Sequence, residues 1–312
     1  MDEFELIARY LAPLAGEGAF GLKDDAALHH GAVITKDLLV DGVHFRTDDG
    51  WAYAARKCLR ANISDIVAKG ARLDGVFLGL VWPADVKEAE IADFCEGLSG
   101  DMAAYGLSLL GGDTTRHRLA GAPLTVSITM TGQPGPRGMI RRDGANLGDA
   151  LLVTGTIGDG WLGLEALLNG WTDYSGAIDA YLAPQPPTRL ASAIAQWASA
   201  AIDISDGLLA DAGHLAKASG VRLKIKGDQL PWSEDAARWI KGGGERGQLV
   251  TGGDDYQTLL TVPSGNVRQL MEAAEAANCR LTVIGGAVEG EPAAFIHAAD
   301  WQVLGRGGFS HF

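Results

Sequence analysis

Apolar side chains return at helical spacing at Phe4, Ile7, Ala8, Leu11 and Leu14, and again at Trp51, Ala55, Cys58, Leu59, Ile63, Ile66 and Val67. Recurrence every three or four residues lines one face, so both stretches predict helices. Between them "GAVITKDLLV" is short and rich in β-branched residues, which predicts a strand. "DGVFLGLVW" and "APLTVSITMTG" predict two more strands, with the helical "EAEIADFCEGLSGDMAAYG" before the second. The pattern then breaks at "GQPGPRGMIRRDGANLGD", residues 132–149, where Gly and Pro crowd together as in a domain connection. It restarts as strand "ALLVTG", helices to about Trp197, strand "AAIDIS", helix "DGLLADAGHLAKASG", strand "VRLKIKG", and a last helix and strands after Gly253. Alternating strands and helices predict an α/β (α+β) fold, and no internal repeat argues for a solenoid. Two domains are expected, residues 1–138 and 139–312.

Length supports the division, because 312 residues exceed what one core usually organises. Composition is ordinary for a globular chain, 47% hydrophobic and 21% charged, so it adds little to the fold. Charge narrows the partners. The formal net charge is −13, from 39 acids against 26 bases with no basic cluster, which disfavours nucleic acid and anionic membranes. An acidic protein that binds phosphates needs a cation between. The acidic start "MDEFELIARYLAPL" is unlike a signal peptide, and no apolar run approaches the roughly 20 residues of a membrane span. Cys58, Cys95 and Cys279 are too dispersed for a metal knuckle or a disulfide framework, so a reducing cytoplasm is the expected location.

The candidate chemistry is carried by carboxylates. "LKDDAAL" holds Asp24 and Asp25, "ITKDLLVDGVHF" holds Asp37 and Asp41, "ANISDIVAKGA" holds Asp65, and "LLGGDTT" holds Asp113. "AIDISDGLLAD" holds Asp203 and Asp206 around Ser205, and "TGGDDYQ" holds Asp254 and Asp255. Each lies at the end of an apolar run or beside glycine, where open α/β sheets carry functional loops. Two readings stand. These acids are helix caps and turn residues that never meet, or they converge and need cations between them. Hard oxygens with Ser and Thr hydroxyls favour Mg²⁺ or Ca²⁺, and Mg²⁺ typically takes one or two carboxylates plus water and phosphate. Other motifs fail on context. "GEGAFG", residues 16–21, follows a helix pattern where a dinucleotide fingerprint needs a strand, and there is no P-loop, EF-hand, HExxH or GxSxG.

Taken in order, "KDDAAL", "DLLVDGVHF", "NISDIVAKGA", "GGDTT", "AIDISDGL", "TGGDDYQ" and the terminal "GFSHF" resemble the thiamine-monophosphate kinase family of the aminoimidazole-ribonucleotide-synthetase-like superfamily, over essentially the whole chain. The resemblance implies two domains, each a mixed sheet backed by helices. The first would bind metal and nucleotide and form a homodimer through its sheet, and the second would complete the site. It implies in-line transfer of the ATP γ-phosphoryl group to thiamine monophosphate with several Mg²⁺ ions. Carried over motif by motif, Asp25, Thr35, Asp37, Asp65, Asp113, Asp203 and Asp206 would hold metal, with Asp37, Asp65 and Asp206 closest to the chemistry. Gly112, Asp113, Arg142 and Ser205 would contact ATP, and His44, Asp254 and Phe309 the thiamine phosphate.

Two positions depart from the family pattern. Lys36 stands where a metal-binding Thr is usual, so a magnesium is held differently or the ammonium meets a phosphate. Asp254 replaces a Glu and is one methylene shorter. The alternatives are an ATP-dependent cyclase of the same superfamily and a non-catalytic nucleotide- or metal-binding homologue. A selenophosphate-synthetase reading lacks its reactive N-terminal thiol.

Overall fold

Strict alternation builds the first sheet. In the computed structural model, which describes residues 3–299 and 301–304, β5 (Thr125–Gln133) buries Val126, Ile128 and Met130 and turns Ser127, Thr129 and Thr131 outward. Its partners are β1 (Ala27–His29), β2 (Ala32–Val40), β3 (Arg72–Trp82) and β4 (Ser108–Arg116), in the order β1-β2-β5-β3-β4. Only β3 and β4 run parallel. On β2 the buried face carries Val33, Thr35 and Leu39, so period-two geometry puts Asp37 on that face and Lys36 and Leu38 on the other. Strand β1 pairs only with Ala32, Val33 and Ile34, and no other described strand pairs with the rest of that edge of β2.

Helix α2 (Trp51–Ala68) covers the inner face together with α3 (Glu88–Tyr105). Cys58, Leu59, Ile63 and Ile66 are fully buried, each apolar residue of this size contributing about 1.5–3 kcal/mol. Gly70, one residue past the C-cap Lys69, turns the chain with φ +65°, and a Cβ there would lie 2.8 Å from Ala195 of the second domain.

The second sheet is also mixed. Its strands are β6 (Ala150–Thr154), β7 (Ala200–Asp203), β8 (Arg222–Lys226), β9 (Thr258–Val262), β10 (Leu281–Val288), β11 (Ala293–His297) and β12 (Gln302–Leu304), ordered β12-β11-β8-β10-β6-β9-β7. Helices α4 (Asp159–Asn169), α5 (Ser175–Leu182), α6 (Ala191–Trp197), α7 (Leu208–Ser219), α8 (Glu234–Lys241), α9 (Arg246–Thr251) and α10 (Val267–Ala276) flank it. Residues 134–149 connect the domains. Helix α2 touches both sheets, packing on β2 and β5 and also on β7 and β9, so a residue midway along it faces the junction.

Three sequence expectations change. The N-terminal stretch forms a short α1 (Glu3–Leu6) followed by a π turn and a 3-10 turn instead of one helix. Pro13 enters the last turn and Leu14 is 80% exposed, so no core surface rewards a longer helix. "LLGGDTT" is strand β4, hidden from pattern reading by its paired glycines, and α8 and α9 were not anticipated.

Candidate active site

Four elements deliver carboxylates to one point. Helix α2 brings Asp65, β2 brings Asp37, β7 ends on Asp203, and the turn before β1 brings Asp25. Oxygens of Asp25, Asp65 and Asp203 lie within 4.8 Å of one another. The Thr35 hydroxyl donates to Asp65 Oδ2 at 2.5 Å and approaches the Asp25 carbonyl at 3.2 Å. These three acids therefore come together in space.

Repulsion is visible in their protonation. Burial first, then the charges of Asp203, Asp37 and Asp25, push Asp65 well above the usual carboxylate range. Burial and then Asp25 raise Asp203 to about 7, and burial raises Asp37 to about 6 against the pull of Lys36. Asp25 goes the other way: burial would raise it, but the Arg142 guanidinium and the Lys69 ammonium together hold it below its ordinary value. Lys69 is wholly buried, donating to Asp24 Oδ1 at 2.7 Å and the Ala201 carbonyl at 2.8 Å and pairing with Asp25. Among the described residues Asp37, Asp65 and Asp203 form no salt bridge, and an all-oxygen set of that kind fits a hard divalent cation.

Other acids answer to the capping reading. Asp211 Oδ2 accepts from the Asp206 and Gly207 amides, both at 3.1 Å, and closes the start of α7. Asp255 does the same for α4, accepting from Gly158 at 2.9 Å and Gly160 at 3.1 Å. Asp41 binds the Thr47 amide at 2.9 Å and hydroxyl at 2.7 Å. Asp206 groups with Asp211 and His214, a second set of close ligand atoms one step from the first.

Beside the cluster opens a cavity of about 750 Å³, along the edge of β2 beyond its pairing with β1. Asp37, Asp65, Asp203, Ser205, Asp206, His44 and Asp254 all line it. The loop 203–207 is fixed against 252–257 by backbone bonds from Asp254 to Ser205 at 2.9 Å, Tyr256 to Ile204 at 2.8 Å and Ile204 to Gln257 at 2.8 Å. Asp254 has φ +71° and Tyr256 +49°, a left-handed pair held by those bonds. The Asp254 carboxylate meets Lys57 Nζ at 2.9 Å and the Tyr256 hydroxyl at 3.0 Å. His44 Nδ1 accepts the Val40 amide at 3.0 Å.

Some expected residues lie elsewhere. Gly112 and Asp113 are on β4, separated from β2 by β5 and β3, about 14 Å at ordinary strand spacing. A Cβ on Gly112 would lie 1.9 Å from the Leu78 carbonyl, so strand packing by itself requires that glycine. Arg142 is paired with Asp25. Lys36 is at the cavity rim on the outer face, donating to the Ser127 hydroxyl and, at 3.3 Å, to the Asp37 carbonyl. Phe309 lies outside the described residues.

Sequence reading missed Lys57, Lys69, Tyr181 and Trp161. The two lysines carried a signal: Lys57, Ala61, Asp65 and Lys69 recur every fourth residue of a helix otherwise dominated by apolar side chains. Charges placed on an apolar stripe must be paired or functional.

The comparisons agree with this geometry. Residues 23–133 match the family model "AIR synthase related protein, N-terminal domain", and 146–297 match "AIR synthase related protein, C-terminal domain". The thiamine-monophosphate kinase of Caulobacter vibrioides is 43% identical over 301 residues, covering 93% of this chain and 85% of that one. The thiamine-monophosphate kinase of Salmonella typhimurium is 36% identical over 296 residues, covering 91% and 89%. A solved structure described as AaThiL complexed with AMPPCP and TMP superposes with a TM-score of 0.86 at 29% identity, covering 100% of this chain and 97% of that one. With both domain models in place and such identity along nearly its whole length, the chain belongs to the thiamine-monophosphate kinase family.

Proposed function

We propose that this protein transfers the γ-phosphoryl group of ATP to thiamine monophosphate, giving ADP and thiamine diphosphate. The observation that carries the reading is the convergence of Asp25, Asp65 and Asp203 beside a cavity that Asp37, Asp65, Asp203, Asp254 and His44 line. A bond forms between the γ-phosphorus and an oxygen of the acceptor phosphate, while the bond to the β,γ-bridging oxygen breaks and ADP leaves. The acceptor's second ionisation lies near pH 6, so it is already a nucleophile and no strong base is required. Positioning and charge neutralisation then supply most of the rate.

Asp37, Asp65, Asp203 and Asp206 would hold Mg²⁺, which supplies neutralisation of the phosphate oxygens when bound. Lys69 and Arg142 fix Asp25, and Thr35 orients Asp65. The Ser205 carbonyl accepts from the Asp254 amide, a bond that would keep nucleotide and acceptor ends of the cavity side by side. The dimer reading rests on the outer face of the first sheet, where Leu38 is 60%, Phe77 44% and Leu110 53% exposed. A second copy on that face would cover them, and Gly112 and Asp113 would reach a nucleotide only across such an interface. Free thiols at Cys58, Cys95 and Cys279 fit a reducing cytoplasm, and among the described residues no helix is long and apolar enough to cross a membrane.

Incubating purified protein with ATP, thiamine monophosphate and Mg²⁺ should yield thiamine diphosphate and ADP in equal amounts, with no product in excess chelator. Equal yields with chelator, or ATP consumption without thiamine diphosphate, would refute the reading.

A further inference from the structure

The cavity beside the carboxylates has an aromatic wall. Trp161, in the first turn of α4, lines it next to Gln248, Thr251 and Gly252. Its place is built into the backbone around it. A Cβ on Gly252 would lie 2.3 Å from Trp161 Cβ, and one on Gly160 would lie 2.4 Å from the Asp254 backbone. Only glycines at both positions let the α4 start press against the 252–254 loop, so the indole and the Asp254 carboxylate share one rim.

The indole is also braced. Trp239 meets it edge-on, with ring centroids 5.7 Å apart, and Trp239 in turn stacks on Trp171 at 5.5 Å. A side chain wanted only for core packing would be closed over, yet Trp161 remains half buried, with part of its ring on the cavity. The thiazolium ring of thiamine monophosphate is a permanent cation, and tryptophan is the best aromatic partner for a cation. A rigid, pre-positioned ring loses little entropy on binding.

We infer that Trp161 is a specificity-determining residue, the wall that holds the cationic ring of the acceptor while the carboxylate cluster holds its phosphate end. This rests on the thiamine monophosphate reading above.

The test is equilibrium binding of thiamine monophosphate and, separately, of AMPPCP to the full chain in Mg²⁺, with wild type, Trp161→Leu and Trp161→Phe. Loss of the cation contact should weaken thiamine monophosphate roughly 2- to 30-fold in Trp161→Leu, with Trp161→Phe between. AMPPCP affinity should stay within about twofold. The neutral thiazole phosphate that lacks the pyrimidine arm should lose less than thiamine monophosphate does. Unchanged thiamine monophosphate affinity in folded Trp161→Leu overturns the inference and leaves the kinase reading intact. Equal losses for both ligands with a lowered melting temperature also overturn it, since the ring then serves only packing. A wild type that binds thiamine monophosphate without turnover refutes the kinase reading instead, and the affinity ratio still decides the role of Trp161. Absence of binding to wild type overturns both.

Discussion

Lys57, within α2, and Lys69, its C-cap, stand about three turns apart, both buried, and their protonation shifts in opposite directions. Burial alone would pull each down. Around Lys69 the carboxylates of Asp25 and Asp24 outweigh that penalty and hold its ammonium above the ordinary value. Lys57 has one carboxylate, Asp254, and the face of Tyr181 at 3.3 Å, and for it burial wins. The number of partners decides the sign. The Lys69 end is a closed lock that ties the turn before β1 to β7, whereas the Lys57 end is tied to Asp254 at the rim of the cavity. Asp65, one turn before Lys69, accepts from the Thr35 hydroxyl and has no salt bridge among the described residues.

The largest effect should come from breaking the lock. Lys69→Met takes the cationic partner from Asp24 in the interior and leaves Asp25 with Arg142 alone, and removing one partner of a buried pair costs about 3–5 kcal/mol. Chemical denaturation should show a loss of that order, and a loss under about 1 kcal/mol would mean that the lock is not closed. Next, Asp65→Asn removes the charge while keeping its shape. Turnover should fall by about 10²–10³, with the melting temperature equal or higher, because a repelled buried acid is gone. Near-normal turnover would return Asp65 to a structural role.

The pH response sharpens the contrast at its centre. Asp203 and Asp37 titrate at about 7 and about 6 in the folded chain, above their unfolded values near 4. The folded state therefore binds protons more tightly, and its stability without metal falls as pH rises from about 4 through 7. Adding Mg²⁺ should raise the melting temperature more at pH 8 than at pH 5.5, and an equal shift at both would contradict this. Lys57→Met should cost under about 2 kcal/mol, because Asp254 keeps the Tyr256 hydroxyl and is 26% exposed at its side chain. A cost matching that of Lys69→Met would erase the difference between the two ends. The smallest change is expected at Lys36→Met, within about 0.5 kcal/mol by denaturation, since its ammonium is exposed.

Much of this was legible beforehand. The strands β2, β3 and β5 and the helices α2, α3 and α7 follow from alternation and helical spacing, and the convergent acids could be named from their motifs. Which acids converge could not be read. Asp211 and Asp203 stand eight residues apart in one acidic stretch, yet one caps α7 and the other joins the cluster, a division set by where β7 ends against α2. Asp113 carried a strong motif but lies on the far edge of its sheet, because strand order is a tertiary property. Trp161 was silent because one aromatic in a helix's first turn reads the same whether it packs or binds.

Metal ligation by Asp65 and its neighbours is the proposal on which the function depends. The most direct test is Mn²⁺ binding, followed by electron paramagnetic resonance, to nucleotide-free wild type and Asp65→Asn at pH 8. The account predicts bound Mn²⁺ in the wild type, displaced by Mg²⁺, and at least about tenfold weaker binding in the variant, a loss of about 1.4 kcal/mol. Identical binding curves for the two proteins would contradict it.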